Sequence, residues 1–240
     1  MRARTRAVIA PGAVLQQLSC QPPLTLRQVH SDDPDTCALC LVGTAAGPLP
    51  GDVLDLEIVL SARAKATLRA AGATLAQGSG GAPSQVNVRV ELGAGAHLDA
   101  DLGALIVAAG ASVQVALELT LAADATLAWR ETIVLGRSAE EPGAATVRWD
   151  VTRGGRPVLR QTIDLAEPAL ARSPGMLAGR RVLATALVVG RSPAQTMVHS
   201  PTAVVQVLAD GSALATVLAA DAATAQRELD LLLDMRNGAN

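Results

Sequence analysis

Residues 113–127 read VQVALELTLAADATL, and this stretch decides the fold. Every second residue from Val113 to Leu121 is a valine or a leucine, and polar or small residues stand between them. A period of two is typical of a β-strand that buries one face. The following Ala-Asp-Ala tip tolerates a tight turn, and the next apolar residue, Leu127, begins a new strand. The stretch therefore predicts a strand, a tight turn and a second strand.

The same unit recurs along the chain. The turn segments LGAGAHL at 92–98, VAAGASV at 107–113 and LAADATL at 121–127 begin 15 and then 14 residues apart, and LADGSAL at 208–214 is a looser fourth copy. Units of constant length stack into layers or into a solenoid. We therefore expect a mainly β fold of stacked antiparallel or solenoid-like strand layers, in a single domain spanning residues 1–240.

A helix is expected at about residues 221–236, near the C-terminus. Asp221 is a suitable N-cap, and Leu229, Leu232 and Leu233 would lie on one side of the helix. Such an apolar stripe packs either on the protein's own sheet or on a partner.

Composition excludes several classes of function. The 240 residues carry a net charge of −2 and contain 1% aromatic residues, which disfavours nucleic-acid binding. Apolar runs fall well short of the roughly 20 residues needed to span a membrane. The only lysine, Lys65, lies in a strand pattern, so there is no phosphate-binding P-loop. We expect a cytoplasmic protein with no membrane segment and no tightly bound cofactor.

The cysteines allow three interpretations. Cys37 and Cys40 form a C-x-x-C motif, and with Cys20 and His30 a four-ligand metal site can be drawn. A redox role would require a helix after the motif, and no helical pattern follows. Residues 37–42 also read as a small buried strand, which is the interpretation we favour.

One segment resembles the nucleophile elbow of serine hydrolases. Ser192 lies between Gly190 and Ala194 after an apolar strand, close to the G-x-S-x-G pattern. Such an elbow runs directly into a helix, whereas the residues after Ser192 have no helical period. A loop is favoured, and a hydrolase centred on Ser192 remains an alternative.

Carboxylates in or beside the predicted strands are the remaining candidate site residues. They lie either on solvated strand faces or along an internal path that hard or borderline metal ions could follow. The residues are Asp52, Asp55, Glu57, Asp99, Asp101 and Glu131.

Four stretches together resemble the UreD (UreH) family of urease accessory proteins. A departure lies at residues 70–77, where many members carry a threonine-rich turn with a lysine and an aromatic residue. The four stretches are residues 21–27 (QPPLTLR), 43–52 (GTAAGPLPGD), 95–98 with 105–111, and 129–137 (WRETIVLGR) with 140–143.

The resemblance implies a scaffold rather than an enzyme. Family members bind apo-urease and the accessory proteins UreF and UreG, and are thought to conduct nickel to the nascent active site. Asp52 and Glu131 match family motif positions, so we expect them in or near a path for nickel in transit. The C-terminal helix is then the expected docking element for the UreF-like partner. A structural β-solenoid binding protein unrelated to urease is a further alternative.

Overall fold

The computed structural model describes residues 1–78, 80–190 and 196–234, which form two β-sheets. Sheet A contains β1 (Arg2–Ala10), β2 (Val14–Ser19), β5 (Val53–Leu60), β8 (Ser84–Leu92), β10 (Ser112–Leu121), β12 (Ala144–Arg153) and β13 (Arg156–Asp164). Sheet B contains β3 (Leu24–Val29), β4 (Thr36–Gly43), β6 (Lys65–Ala70), β7 (Thr74–Ala76), β9 (His97–Val107), β11 (Thr126–Leu135), β14 (Val182–Val189), β15 (Met197–Ser200), β16 (Ala203–Val207) and β17 (Ala213–Ala219). The helices are α1 (Pro168–Ala171) and α2 (Ala222–Asp234).

The repeated turns carry the chain from one sheet to the other. β8, β10 and β12 lie in sheet A, whereas β9 and β11 lie in sheet B, so strands that follow each other in sequence do not pair. Leu121 pairs directly with Leu92 one coil earlier, and Leu92 pairs with Leu60. The mainly β, solenoid-like prediction is confirmed. The central strands stack in parallel, and the antiparallel pairing that we also expected occurs at the flanks.

Two details of the repeat differ from the prediction. The segment at 208–214 is a hairpin turn between β16 and β17, in which the Leu208 amide donates to the Ser212 carbonyl at 2.8 Å, so it is not a fourth copy. A further copy joins β5 to β6 at residues 61–64, where the amide of Ala64 donates to Ser61. Its tip is Arg63 with a φ of +64°, and a non-glycine residue at this conformation gives no sequence signal.

The C-terminal helix packs on the protein itself. Asp221 caps α2, because its Oδ1 accepts from the Thr224 amide at 2.9 Å, as predicted. Leu229, Leu232 and Leu233 are buried in a cluster with the outer faces of β14, β16 and β17. The prediction that this stripe is the docking element is therefore wrong, because sheet B already occupies it. Within the described residues, no helix has both the length and the apolar character needed to cross a membrane.

Candidate functional site

A glutamate lies on the inward face of sheet B. The alternation that buries Leu127, Trp129 and Ile133 of β11 also places Glu131 on the core side of the strand. The pairing of β11 with β9 shifts at this residue, because two residues of β9 lie opposite Glu131 alone. Glu131 is thus a single acidic side chain in an otherwise apolar inward row.

The carboxylate of Glu131 connects the two sheets. Its Oε2 accepts a hydrogen bond of 2.7 Å from the indole Nε1 of Trp149, a buried residue of β12 in sheet A. Glu131 is half-buried as a whole residue, and its hydrogen bond with Trp149 is also only partly buried. Burial raises the pKa of Glu131 to about 7, and the hydrogen bond from Trp149 offsets only part of this effect. At neutral pH both the acid form and the carboxylate form of Glu131 are therefore populated.

A second polar group lies close to Glu131 in the sequence. The indole Nε1 of Trp129 is buried and has no hydrogen-bond partner among the residues that the structure describes. Because Trp129 and Glu131 are two positions apart on one strand, both side chains project to the same side of sheet B. The apolar core therefore holds two polar groups in neighbouring inward positions.

Asp52 lies at the entry to β5 and is engaged in local contacts. Its Oδ1 is 2.6 Å from the amino group of Met1, and its Oδ2 accepts from the Leu49 amide at 2.9 Å. Burial acts to raise the pKa of Asp52, but the hydrogen bonds from Met1 and Leu49 and the charge of the amino group together lower it. Both carboxylate oxygens therefore help to hold the loop that precedes β5.

The structure does not bring Asp52 and Glu131 into one site. Asp52 adjoins β5, whereas Glu131 contacts β12, and three strand spacings separate these two strands in sheet A. At about 4.8 Å per spacing, the separation along the sheet is roughly 14 Å. One ion cannot contact both carboxylates, so they can serve a metal only in succession.

The other candidate carboxylates are held by basic or polar neighbours. Glu57 pairs with Arg4 at 2.6 Å, and Asp99 pairs with Arg69 at the same distance. The remaining two are also bound: Asp55 accepts from Asn87, and Asp101 accepts from the Gly103 amide. These strand positions alternate with the buried ones, so all four residues lie on outward strand faces, although Oδ1 of Asp99 is itself buried and has no hydrogen-bond partner among the described residues.

The cysteines do not converge. Cys37 and Cys40 are three positions apart on β4, so their side chains project to opposite faces. Cys37 is fully buried, and burial raises the pKa of its thiol. Cys20 instead accepts from the Leu26 amide. The buried-strand interpretation is confirmed and the metal interpretation is wrong. In the described part of the chain, no three acidic, histidine or cysteine side chains are grouped to hold an ion.

Ser192 lies outside the described residues. β14 ends at Val189, and the next described element is the strand β15, which begins at Met197. A nucleophile elbow requires a helix directly after the serine. No described feature supports the hydrolase alternative.

Sequence reasoning missed the partner of Glu131. Trp149 falls in a strand that the alternating pattern did predict, and a buried indole N–H usually has a hydrogen-bond acceptor. The acceptor lies in the opposite sheet, however, and the alternation of one strand does not show which residues face it across the core. The inward position of Glu131 was itself readable from the run of apolar residues at alternate positions in β11.

Fold and site together define a two-sheet β-solenoid protein with an isolated interior carboxylate and a helix packed on one outer face. Residues 2–236 match the family model described as UreD urease accessory protein. The chain belongs to the UreD family of urease accessory proteins. The alternative of a solenoid protein unrelated to urease is therefore wrong.

Individual relatives agree over most of the chain. Urease accessory protein UreD 1 of Saccharopolyspora erythraea is 39% identical over 220 residues, covering 90% of this chain and 86% of the relative. Urease accessory protein UreD of Frankia alni is 36% identical, with coverage of 83% and 74%. Urease accessory protein UreD of Streptomyces avermitilis is 33% identical, with coverage of 91% and 89%.

Proposed function

We propose that this chain acts in the cytoplasm as a non-enzymatic scaffold for urease maturation. It binds apo-urease together with UreF-like and UreG-like accessory proteins while nickel is inserted. Membership of the UreD family supports this role. The fold also supports it, since the described residues offer broad sheet faces and no grouped metal ligands.

Nickel passes Glu131 in transit, and the observation that carries this proposal is the buried carboxylate held by Trp149. A carboxylate with a pKa of about 7 is partly protonated at neutral pH, so an incoming ion competes with a proton, and one of the two carboxylate oxygens already accepts from Trp149. Both effects weaken binding. A single oxygen ligand of this kind suits brief residence, whereas a thiolate cage would retain a borderline ion.

Asp52 is the second residue of the proposed path, at the entry to β5. Its roughly 14 Å offset from Glu131 along the sheet fits successive rather than shared contacts. Because both oxygens of Asp52 already accept hydrogen bonds, nickel would compete with the contacts that hold this loop. We therefore expect the Asp52→Asn variant to combine a structural defect with a delivery defect, which makes Glu131 the cleaner test.

The test combines urease activation with co-purification from the host. A tagged copy of the chain should retain urease subunits and the two accessory proteins, and its Glu131→Ala variant should retain them while active urease falls. Glu118→Ala is the matched control, because Glu118 is an exposed glutamate on the outer face of sheet A. Failure of the wild-type chain to retain urease subunits would overturn the scaffold proposal. Full activation by Glu131→Ala would overturn the nickel path alone.

A further inference from the structure

Arg181 directly precedes β14 in the sequence, and backbone carbonyls hold its guanidinium in place. The guanidinium of Arg181 donates from Nε to the Leu135 carbonyl at 3.2 Å and from Nη2 to the Arg137 carbonyl at 2.8 Å, and Nη2 also donates to the Glu140 carbonyl. A Cβ on Gly136, which has a φ of +79°, would lie 2.6 Å from this Nη2. The loop at 136–143 is therefore shaped around the guanidinium and sets its orientation.

The charge of Arg181 has no carboxylate partner among the described residues. Its three hydrogen bonds go to neutral carbonyls and use Nε and Nη2, which leaves the two N–H groups of Nη1. The adjacent Arg180 is exposed and also forms no ion pair within the described part of the chain. Arg180 and Arg181 are thus two adjacent positive charges that form no ion pair with a carboxylate among the described residues.

The neighbouring ion pairs do not change this balance. Glu140 is bound by the side chain of Arg137 at 2.8 Å, and Arg172 pairs with Glu141 at 2.6 Å. Each pair is neutral as a unit, so Arg180 and Arg181 leave a local charge of +2. A charge of this size beside a cavity attracts an anion of matching charge.

A cavity of about 260 Å³ adjoins both arginines. Arg172, Arg180, Arg181 and Glu140 line it together with the apolar side chains of Leu135 and Leu177. An arginine with a fixed guanidinium needs little reorganisation to bind an oxyanion, and guanidinium geometry matches two oxygens of a phosphoryl group. Arg172 is held only by an exposed ion pair, which is weak, so it can turn toward a bound anion.

We propose that this cavity binds a dianionic tetrahedral oxyanion, that is, phosphate or the phosphoryl group of a small molecule. Arg181 supplies the fixed donors, Arg180 the free charge and Arg172 a movable third cation. The site is independent of the nickel path, since it lies between the 136–143 loop and the segment that precedes β14. The anion site and the proposed function can therefore be tested independently of each other.

The test is calorimetric titration of the full chain with inorganic phosphate at pH 8 and low ionic strength. Wild type should bind one phosphate saturably, and Arg180→Gln should bind at least about tenfold more weakly, since a charge-assisted hydrogen bond is lost. Arg180 is exposed, and Arg180→Gln removes no side-chain hydrogen bond or ion pair within the described residues, so its folding should be unaffected. Arg181→Gln should abolish binding, with tryptophan fluorescence reporting whether the variant is folded.

Arg156→Gln is the matched control. Arg156 is exposed, forms no ion pair among the described residues and follows the far end of β12, about 30 Å from the cavity loop. It should bind phosphate like wild type. Sulfate should compete with phosphate, and acetate at equal concentration should not. Lack of saturable binding to wild type, equal weakening by Arg156→Gln, or competition by acetate as strong as that by sulfate would each overturn the assignment.

Discussion

Replacing Glu131 with glutamine should stabilise the protein above neutral pH. The pKa of Glu131 is raised from 4.5 to about 7, so the folded state binds the proton more tightly than the unfolded state does. The stability contributed by the protonated group is present below about pH 4.5 and is lost as the pH rises toward 7. At 1.36 kcal/mol per pKa unit, the full loss at pH 8 is about 3 kcal/mol. Glutamine keeps an acceptor for Trp149 and has no proton to lose.

Equilibrium urea unfolding measures this effect. The two tryptophans, Trp129 and Trp149, are the chain's only aromatic side chains apart from histidine, and both are buried, so their fluorescence reports unfolding directly. Between pH 4.5 and pH 8, Glu131→Gln should gain about 3 kcal/mol relative to wild type. Glu118→Gln removes an exposed partner of Arg89 and should change stability by less than about 1 kcal/mol. A difference between Glu131→Gln and wild type that does not vary with pH would refute the reasoning.

Three other substitutions test separate parts of the structure. The double variant Cys37→Ala, Cys40→Ala should leave nickel delivery per folded protein unchanged, because the thiols face opposite sides of β4, and loss of a tightly bound metal would contradict this. Leu229→Ala should lower the unfolding free energy by about 2–5 kcal/mol in the same urea assay, since its side chain is fully buried between α2 and sheet B. Leu231 lies on the same helix but is 54% exposed, so Leu231→Ala should cost under about 0.5 kcal/mol. Asp221→Ala should lower it by about 1 kcal/mol through loss of the helix cap, and no loss would show that Thr224 has another acceptor.

The strands and turns were predictable because each depends on local chemistry. The alternation from Val113 to Leu121 and the turn that follows it are decided by which side chains are apolar and which residues bend tightly. Strand direction was not fixed by the same pattern, since a period of two is equally compatible with parallel and antiparallel neighbours. Strand direction depends on where each turn leads the chain, and evenly spaced turns do not decide this by themselves. In this fold each repeated turn moves the chain to the opposite sheet, so every second strand belongs to the same sheet and runs in parallel.

The site at Glu131 was more predictable from the sequence than the site at Arg181. Glu131 was found through family resemblance, and its inward position follows from the apolar residues at alternate positions in β11. Its partner Trp149 depends on which residues meet across the core. No sequence pattern pointed to Arg181, because its role depends on the carbonyls of Leu135, Arg137 and Glu140, which lie about 40 positions earlier in the chain. Contacts between a side chain and a distant backbone leave no residue-type pattern to read.

The apolar composition of the core explains why the single carboxylate of Glu131 has a raised pKa. The inward residues of sheets A and B are mainly leucine, valine and alanine, which offer no ligand to an ion. In such surroundings an ionised carboxylate is unfavourable, and its raised pKa is the measure of that cost. A nickel ion would supply the positive charge that the core lacks, so it and the ionised form of Glu131 would stabilise each other. Proposed nickel transfer past Glu131 should therefore slow as the pH falls below 7, when the proton competes more strongly for the same oxygen.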